Sequence, residues 1–505
     1  MSVPEYIETR NAQAVYVADI PILPYDRFFD NVTDDLNDEN HHCINYFVVD
    51  FDDRYWFVCC LAFDENQSIR IYSHEAPKSL KALRSISAEC TQMHIFEREI
   101  HENFGIHFEG HPWLKPVRWP HNRANASQIM DNYPFYTITG DELHEVGVGP
   151  IHAGVIEPGH FRFICNGEKV MHLEIHLGYQ HRGVEQLYLS SKTALQRALL
   201  SESIAGDSAV ASAMVHAQLI EALAGIEVPD ALQLERCIGL ELERIAVHVG
   251  DTAALSADVA YQLGQVVNEA LRTTFINTTQ FWCGNRFGKG LIKPGGTRYP
   301  LTDTVMDEIE HIIYDSGNRY FDIAERIYSL PTVLSRFDGI GTVSRSQMIK
   351  IGAVGMAART ACLKRDIRST HPFQYFKKYP YQPVLLDTGD VLARGLLRYK
   401  EAKESVRIIG ELLATRKSMT AEIPQPVFDY KLRASSMVVS LAEAWRGELC
   451  HIAITDHNSD LIHYKVKDPS LHNWMALALA VRNQEISDFP VCNKSFNLSY
   501  CGYDL

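Results

Sequence analysis

The sequence contains no CxxC pair. Its eleven cysteines are scattered, with only Cys59 and Cys60 adjacent, which points to buried free thiols rather than disulfides or a closed thiolate metal site. No apolar run approaches the ~20 residues that span a bilayer. The opening MSVPEYIETR has no basic region followed by an apolar core, so no secretory signal is read there. These absences point to a cytoplasmic chain, or to one peripheral on the cytoplasmic side of the cell membrane. There is no Walker loop and no GxGxxG, so a phosphate site has little support. Internal repeats, coiled-coil heptads and low-complexity tracts are missing as well. Positive charge is in short supply: 48 Lys and Arg against 63 Asp and Glu give a net charge of −15. That balance argues against a nucleic-acid partner and leaves docking on a membrane protein open.

What is present predicts an α+β protein. A chain of 505 residues exceeds one simple core, so two or more domains are expected. The pattern suggests an N-terminal α/β domain over 1–120, a polar linker without periodicity over 121–146, and a mainly α-helical bundle domain with edge antiparallel hairpins over 147–505. In the first part, β-branched and aromatic runs at 44–49 and 55–58 predict a hairpin, 68–72 a short strand and 80–96 a helix. Later, 186–198, 203–224, 231–252, 257–277, 306–330 and 389–413 carry apolar residues at helical spacing, and 450–454 and 461–466 read as strands. Glu241, Arg244 and His248 fall near one helix face. A lone histidine there is more often a hydrogen-bonded core residue than a ligand.

The densest stretch runs from Gly149 to Leu187. It gathers Glu157, His160, Arg162, Glu174, His176, His181, Arg182 and Glu185. Apolar and polar residues alternate through 161–164 and 170–175, and Asn166-Gly167 between them is a hairpin turn signal. The hairpin delivers His181-Arg182-Gly183 to the start of a helix. A hairpin with a charged solvent face would read the same way.

Several motifs resemble a known family when taken in order. The run Glu97 to Pro112, EREIHENFGIHFEGHP, resembles the smaller of two hydrophilic subunits beside the membrane arm of respiratory complex I. From Gly149 onward GPIH, EPGHFRF, GYQHRGVEQL, ELERIAVH, GNRF, RFDGIGTVSR, RDIRSTHPF, GDVLARGLLRYKEAKESVRII and WRGELCH resemble the larger of that pair. They also resemble its relative, the large subunit of membrane-bound energy-converting nickel–iron hydrogenases of the formate hydrogenlyase type. The resemblance implies a hydrogenase large-subunit-like fold in the second part, and a fusion of NADH-quinone oxidoreductase C- and D-type subunits overall. It also implies an oxidoreductase complex coupled to ion translocation.

The departures from that family matter as much. Where hydrogenases hold nickel and iron with four cysteines, the resemblance puts Ala205, Ser208, Ser499 and Gly502, with Cys501 a single thiol out of register. Four thiolates cannot be assembled, so nickel and hydrogen chemistry are not expected. Where complex I binds the quinone headgroup with a histidine and a tyrosine, this chain has Pro158 and Gly206. His160, His152 and Asp207 lie close in sequence. Glu157, His160 and His152 are therefore the candidate proton-handling residues, and Arg182, His181, Gly206 and Asp207 the candidate cofactor-side residues. In the family the HRG arginine lies near a [4Fe-4S] cluster of a small iron–sulfur subunit, and Arg182 matches it. A fixed positive charge there raises the cluster's potential. Antiporter-like membrane subunits are the other implied partners. Two readings stay open beside quinone reduction: a structural or coupling subunit with no substrate of its own, and a hydrogenase with unusual ligands.

Overall fold

A computed structural model describes residues 4–154 and 156–505. The fold is α+β. Near the N-terminus an antiparallel sheet runs in the order Ile7–Thr9, Ser68–Pro77, Arg54–Phe63, His41–Asp50, with Ile22–Leu23 joining Ser68–Pro77 in parallel. The helix Tyr25–Leu36 lies across it and buries Phe28, Phe29, Val32 and Leu36. The expected hairpin at 44–58 is found, longer at both ends.

The 80–96 segment is not a helix. It forms the short strand Ala82–Arg84 and two 3-10 turns, and the helix is His94–Phe104. The cause is Glu97. Its carboxylate accepts hydrogen bonds from the Ser85 hydroxyl (2.6 Å) and from the Ile86 (2.7 Å) and Ser87 (3.2 Å) backbone N–H groups. Such side-chain to backbone bonds hold the preceding chain out of a helix.

The acidic run on that helix is buried rather than solvated. Glu102 accepts the N–H groups of Val117 (3.1 Å), Arg118 (2.9 Å) and Trp119 (2.8 Å), and Arg98 donates to the carbonyls of Lys115 and Pro116, both at 2.8 Å. The helix thereby fixes the chain where it leaves the first sheet. Glu99 pairs with Arg118 and, at 2.6 Å, with Lys465 far along the sequence. Burial alone would raise the Glu99 carboxyl, but the two cations outweigh it and hold it at about 2. Its unfolded value is about 4.3. The pair's stability is therefore fully present above that value and is lost as pH falls from about 4.3 towards 2. Denaturant titrations between pH 6 and pH 3 should show a shallower acid loss in Lys465→Met than in the unsubstituted protein.

The end of the polar 121–146 stretch joins a sheet. Leu143–Val148 pairs antiparallel with His160–Asn166, which pairs with Lys169–His176. The turn between the last two places Gly167 at φ +55°, a conformation glycine adopts without steric cost.

Five long helices build the second part: Ala209–Ala224, Asp230–Asp258, Gln262–Cys283, Asp303–Ile327 and Val391–Lys417. Asp230–Asp258 lies at the centre, against Gln262–Cys283 and Val391–Lys417. The 186–198 segment divides into Val184–Ser190 and Ala194–Ser201, because Thr193 and Gln196 form a reciprocal cap that starts a new helix. The 203–224 segment becomes helical only at Ala209, leaving 205–208 as a turn.

A strand unread in the sequence, Ser436–Ala444, is an inner strand of a further, four-stranded sheet. The order is Leu461–Lys467, Gly447–Thr455, Ser436–Ala444, Ala14–Tyr16. Its last member comes from the N-terminus, and beside it the Asn11 amide donates to the carbonyls of His371 (2.8 Å) and Leu441 (3.0 Å).

Candidate functional site

Three segments meet at one end of the bundle: the HRG loop, the turn 205–208 and the C-terminal stretch 497–505. Asp504 ties the first to the last. Its carboxylate accepts the N–H groups of Gly178 (2.7 Å) and Gln180 (2.8 Å), and its carbonyl takes a hydrogen bond from His181 Nδ1 at 2.8 Å. Burial pushes the Asp504 carboxyl up to about 7 against these bonds. His181, a candidate cofactor residue, is thus committed to the backbone, and burial lowers its own titration.

Arg182 closes the same corner. Its guanidinium donates to the carbonyls of Ser203 (2.9 Å), Ile204 (2.8 Å) and Cys501 (3.0 Å). The residue as a whole is exposed, so this charge sits at the surface with no carboxylate partner among the described residues.

The proton-handling candidates separate into two groups. His152 Nε2 meets the Gly159 carbonyl at 2.7 Å, and His160 Nδ1 meets the Gly149 carbonyl at 3.0 Å. Both rings brace the loop that leads into the hairpin. His160 also lies edge-on to Phe135, with centroids 5.3 Å apart. Glu157 instead lies at the Cys501 thiol, which burial, and then the Glu157 charge, push up to about 11. The Asp207 charge adds a smaller push in the same direction.

Asp207 is held in place. Arg446 grips it through both guanidinium nitrogens at 2.7 Å, and the Trp445 indole N–H donates to its carbonyl at 2.9 Å. Arg446 reaches on to the Asn497 carbonyl (2.6 Å). The Asn497 amide donates to Asp251 (2.7 Å), and Arg398 donates to the other Asp251 oxygen (2.8 Å). A bidentate guanidinium–carboxylate pair is geometrically specific as well as strong. It fixes the 205–208 turn onto the sheet that holds Ser436–Ala444.

Beside this turn a cavity opens between the helices Asp230–Asp258 and Gln262–Cys283. Gly206, Asp207, Glu243, Arg272, Arg286 and Phe287 are among its lining residues. Glu243 escaped the sequence reading, although it stands inside ELERIAVH. The spacing that aligns Glu241, Arg244 and His248 on one face leaves Glu243 on the other. Those three are indeed core residues: Glu241 pairs with Arg244 at 3.1 Å, and His248 Nε2 meets Glu401 at 3.0 Å.

The donor set does not fit a nickel–iron centre. Ala205 and Gly502 offer no ligand atom. The Ser499 hydroxyl caps the last helix by accepting the Gly502 N–H at 2.9 Å, and Cys501 Sγ lies 3.6 Å from it. One thiol among hydroxyls is a poor match for a soft metal. Among the described residues no three His, Cys, Asp or Glu side chains converge as they would on a metal ion.

The comparisons with known proteins fall on both parts of the chain. Residues 26–126 match the family model of the respiratory-chain NADH dehydrogenase 30 kDa subunit, and residues 264–437 match that of the 49 kDa subunit. The chain belongs to the complex I-like, hydrogenase-related family of hydrophilic subunits, as a fusion of its 30 kDa-like and 49 kDa-like parts. Its relatives include hydrogenase-4 component G of Escherichia coli, 25% identical over 421 residues, which cover 80% of this chain and 72% of that one. The carbon monoxide-induced hydrogenase of Rhodospirillum rubrum is 28% identical over 364 residues, 70% of this chain and 97% of that one. NADH-quinone oxidoreductase subunit 4 of Thermus thermophilus is 24% identical over 372 residues, 69% and 90% respectively. No helix among the described residues is long and apolar enough to cross a membrane.

Proposed function

We propose that this chain is the acceptor-side subunit of a complex I-like, membrane-associated oxidoreductase coupled to ion translocation. A small iron–sulfur subunit brings electrons from its [4Fe-4S] cluster to the Arg182 corner, and antiporter-like membrane subunits use the energy released. The acceptor is a quinone-like carbonyl compound that sits in the cavity at Gly206 and Asp207. The observation that carries the reading is Arg182. It is a permanently charged, exposed guanidinium stapled to both the 203–204 carbonyls and the Cys501 carbonyl, at the edge of a site without thiolate ligands. Reducing the acceptor takes two electrons and two protons, and carboxyl groups line the route.

A second reading is favoured by Gly206 and Pro158, which present no polar side chain to an acceptor, and by Asp207, which is already committed to Arg446. On that reading the subunit transmits force between partners and binds no substrate. Arg182→Ala in the purified complex separates the two. Loss of the charge is expected to lower the cluster's midpoint potential by tens of millivolts and to slow quinone reduction, with Arg182→Lys intermediate. An unchanged cluster signal with intact turnover overturns the assignment. A complex that reduces no quinone while its clusters remain reducible leaves the second reading standing.

A further inference from the structure

Glu243 differs from Asp207, the other acid that lines the cavity. Its carboxylate accepts the N–H groups of Val210 (2.7 Å) and Ala211 (3.2 Å), at the first turn of Ala209–Ala224, and it makes no ion pair among the described residues. Two residues away, Glu241 is pinned by Arg244, Arg368 and the Ser405 hydroxyl. Those partners outweigh its burial and hold it ionised. Asp207 is locked to Arg446. Acids so tied are already ionised and hold no proton to give, whereas an unpaired acid in a partly apolar wall keeps one and can pass it on. Val210, Ala246, Val247 and Ile276 supply that apolar wall.

The charges facing Glu243 come from four places. Asp207 lies on the 205–208 turn, Arg244 on its own helix, Arg272 on Gln262–Cys283 and Arg286 just beyond that helix. Burial is the largest influence and Asp207 adds to it. The two backbone N–H groups and Arg244 oppose them, and the carboxyl rests at about 8. Around neutral pH it therefore carries its proton.

We propose that Glu243 is the residue that hands a proton to the occupant of this cavity, a quinone-like carbonyl acceptor. The inference rests on the functional reading above. As two electrons arrive from the partner's cluster, the Glu243 O–H bond breaks and an O–H bond forms on one acceptor oxygen. A second proton, taken from solvent through the adjoining cleft, goes to the other oxygen, which gives the hydroquinone. The carboxylate left at Glu243 keeps the Val210 and Ala211 N–H bonds, so the charged form is stabilised for as long as it lasts. Its proton is restored from solvent through the adjoining cleft, which shares Asp207, Val247 and Arg272 with this cavity.

The test uses the intact complex. Wild-type quinone reduction should fall as pH rises through about 8, as the donor loses its proton. Glu243→Gln keeps an acceptor for one of the two N–H groups but cannot give a proton. It should reduce turnover about a hundredfold and abolish that limb of the pH profile, with partial recovery in Glu243→Asp. Infrared difference spectra offer a reading independent of turnover: a protonated-carboxyl band that disappears near pH 8 in the wild type and is missing in Glu243→Gln. If the wild type turns over and Glu243→Gln matches it in rate and pH profile, or keeps the band, the assignment to Glu243 is wrong and the functional reading survives. If the wild type reduces no quinone, the functional reading falls and the hand-over with it.

Discussion

Arg359→Met is expected to destabilise the protein by ~3–5 kcal/mol, the usual cost of leaving buried charges unpaired. Arg359 is fully buried. It donates to Glu401 (2.9 Å), Glu443 (2.6 Å) and the Arg365 carbonyl (2.9 Å), and lies 3.4 Å from Asp366. Around it, Arg244 and Arg368 face Glu241, Asp366, Glu401 and Glu443, all at most 1% exposed. The guanidiniums number three and the carboxyls four, so the dry cluster is one proton short of neutrality unless an acid or His248 carries it. Glu443 is the group the balance selects: burial, and then the Asp366 charge, push it up to about 7. Methionine at 359 would leave four acids against two cations. Since a folded domain has only ~5–15 kcal/mol in hand, the variant should unfold at much lower urea than the wild type. Adding Glu443→Gln should restore part of the loss. Equal midpoints for the wild type and Arg359→Met would show that the cluster contributes nothing net.

Gly355→Ala is the second large effect, and it links the fold to the site. Gly355 has φ +60°, and a Cβ there would lie 2.1 Å from the Gly447 Cα and 2.4 Å from the Arg446 carbonyl oxygen. Backbone meets backbone, so no side chain can swing aside. Strain and collision together predict a loss of ~3 kcal/mol or more. The turn that would be displaced carries Trp445 and Arg446, which hold Asp207. Denaturation midpoints should fall, and tryptophan fluorescence from Trp445 should shift even in the fraction that stays folded. A variant as stable as the wild type, with unchanged fluorescence, would show that the turn tolerates movement.

Much of the fold was legible because burial left a periodic trace. The 160–176 hairpin and the long helices announce themselves by alternation or by 3.6-residue spacing. Ser436–Ala444 does not, since all nine residues are buried and both faces look alike. The 80–96 segment misled because its apolar residues serve two 3-10 turns that wrap Glu97. In the site, Arg182 was readable from its triplet, and Arg446 stands in a motif singled out for its resemblance. What could not be read was pairing at a distance. Asp207 and Arg446 are 239 positions apart, and Asp504 reaches Gly178 across 326. Glu243 is marked by the lack of an ion pair among the described residues, which only three-dimensional neighbours reveal.

The short strand Ala14–Tyr16 has a consequence for biosynthesis. It leaves the ribosome long before its partner Ser436–Ala444. The nascent chain must therefore keep that strand unpaired while all the chain between the two segments is made. A gene divided at the stretch between the two parts would oblige one polypeptide to donate that strand to the other.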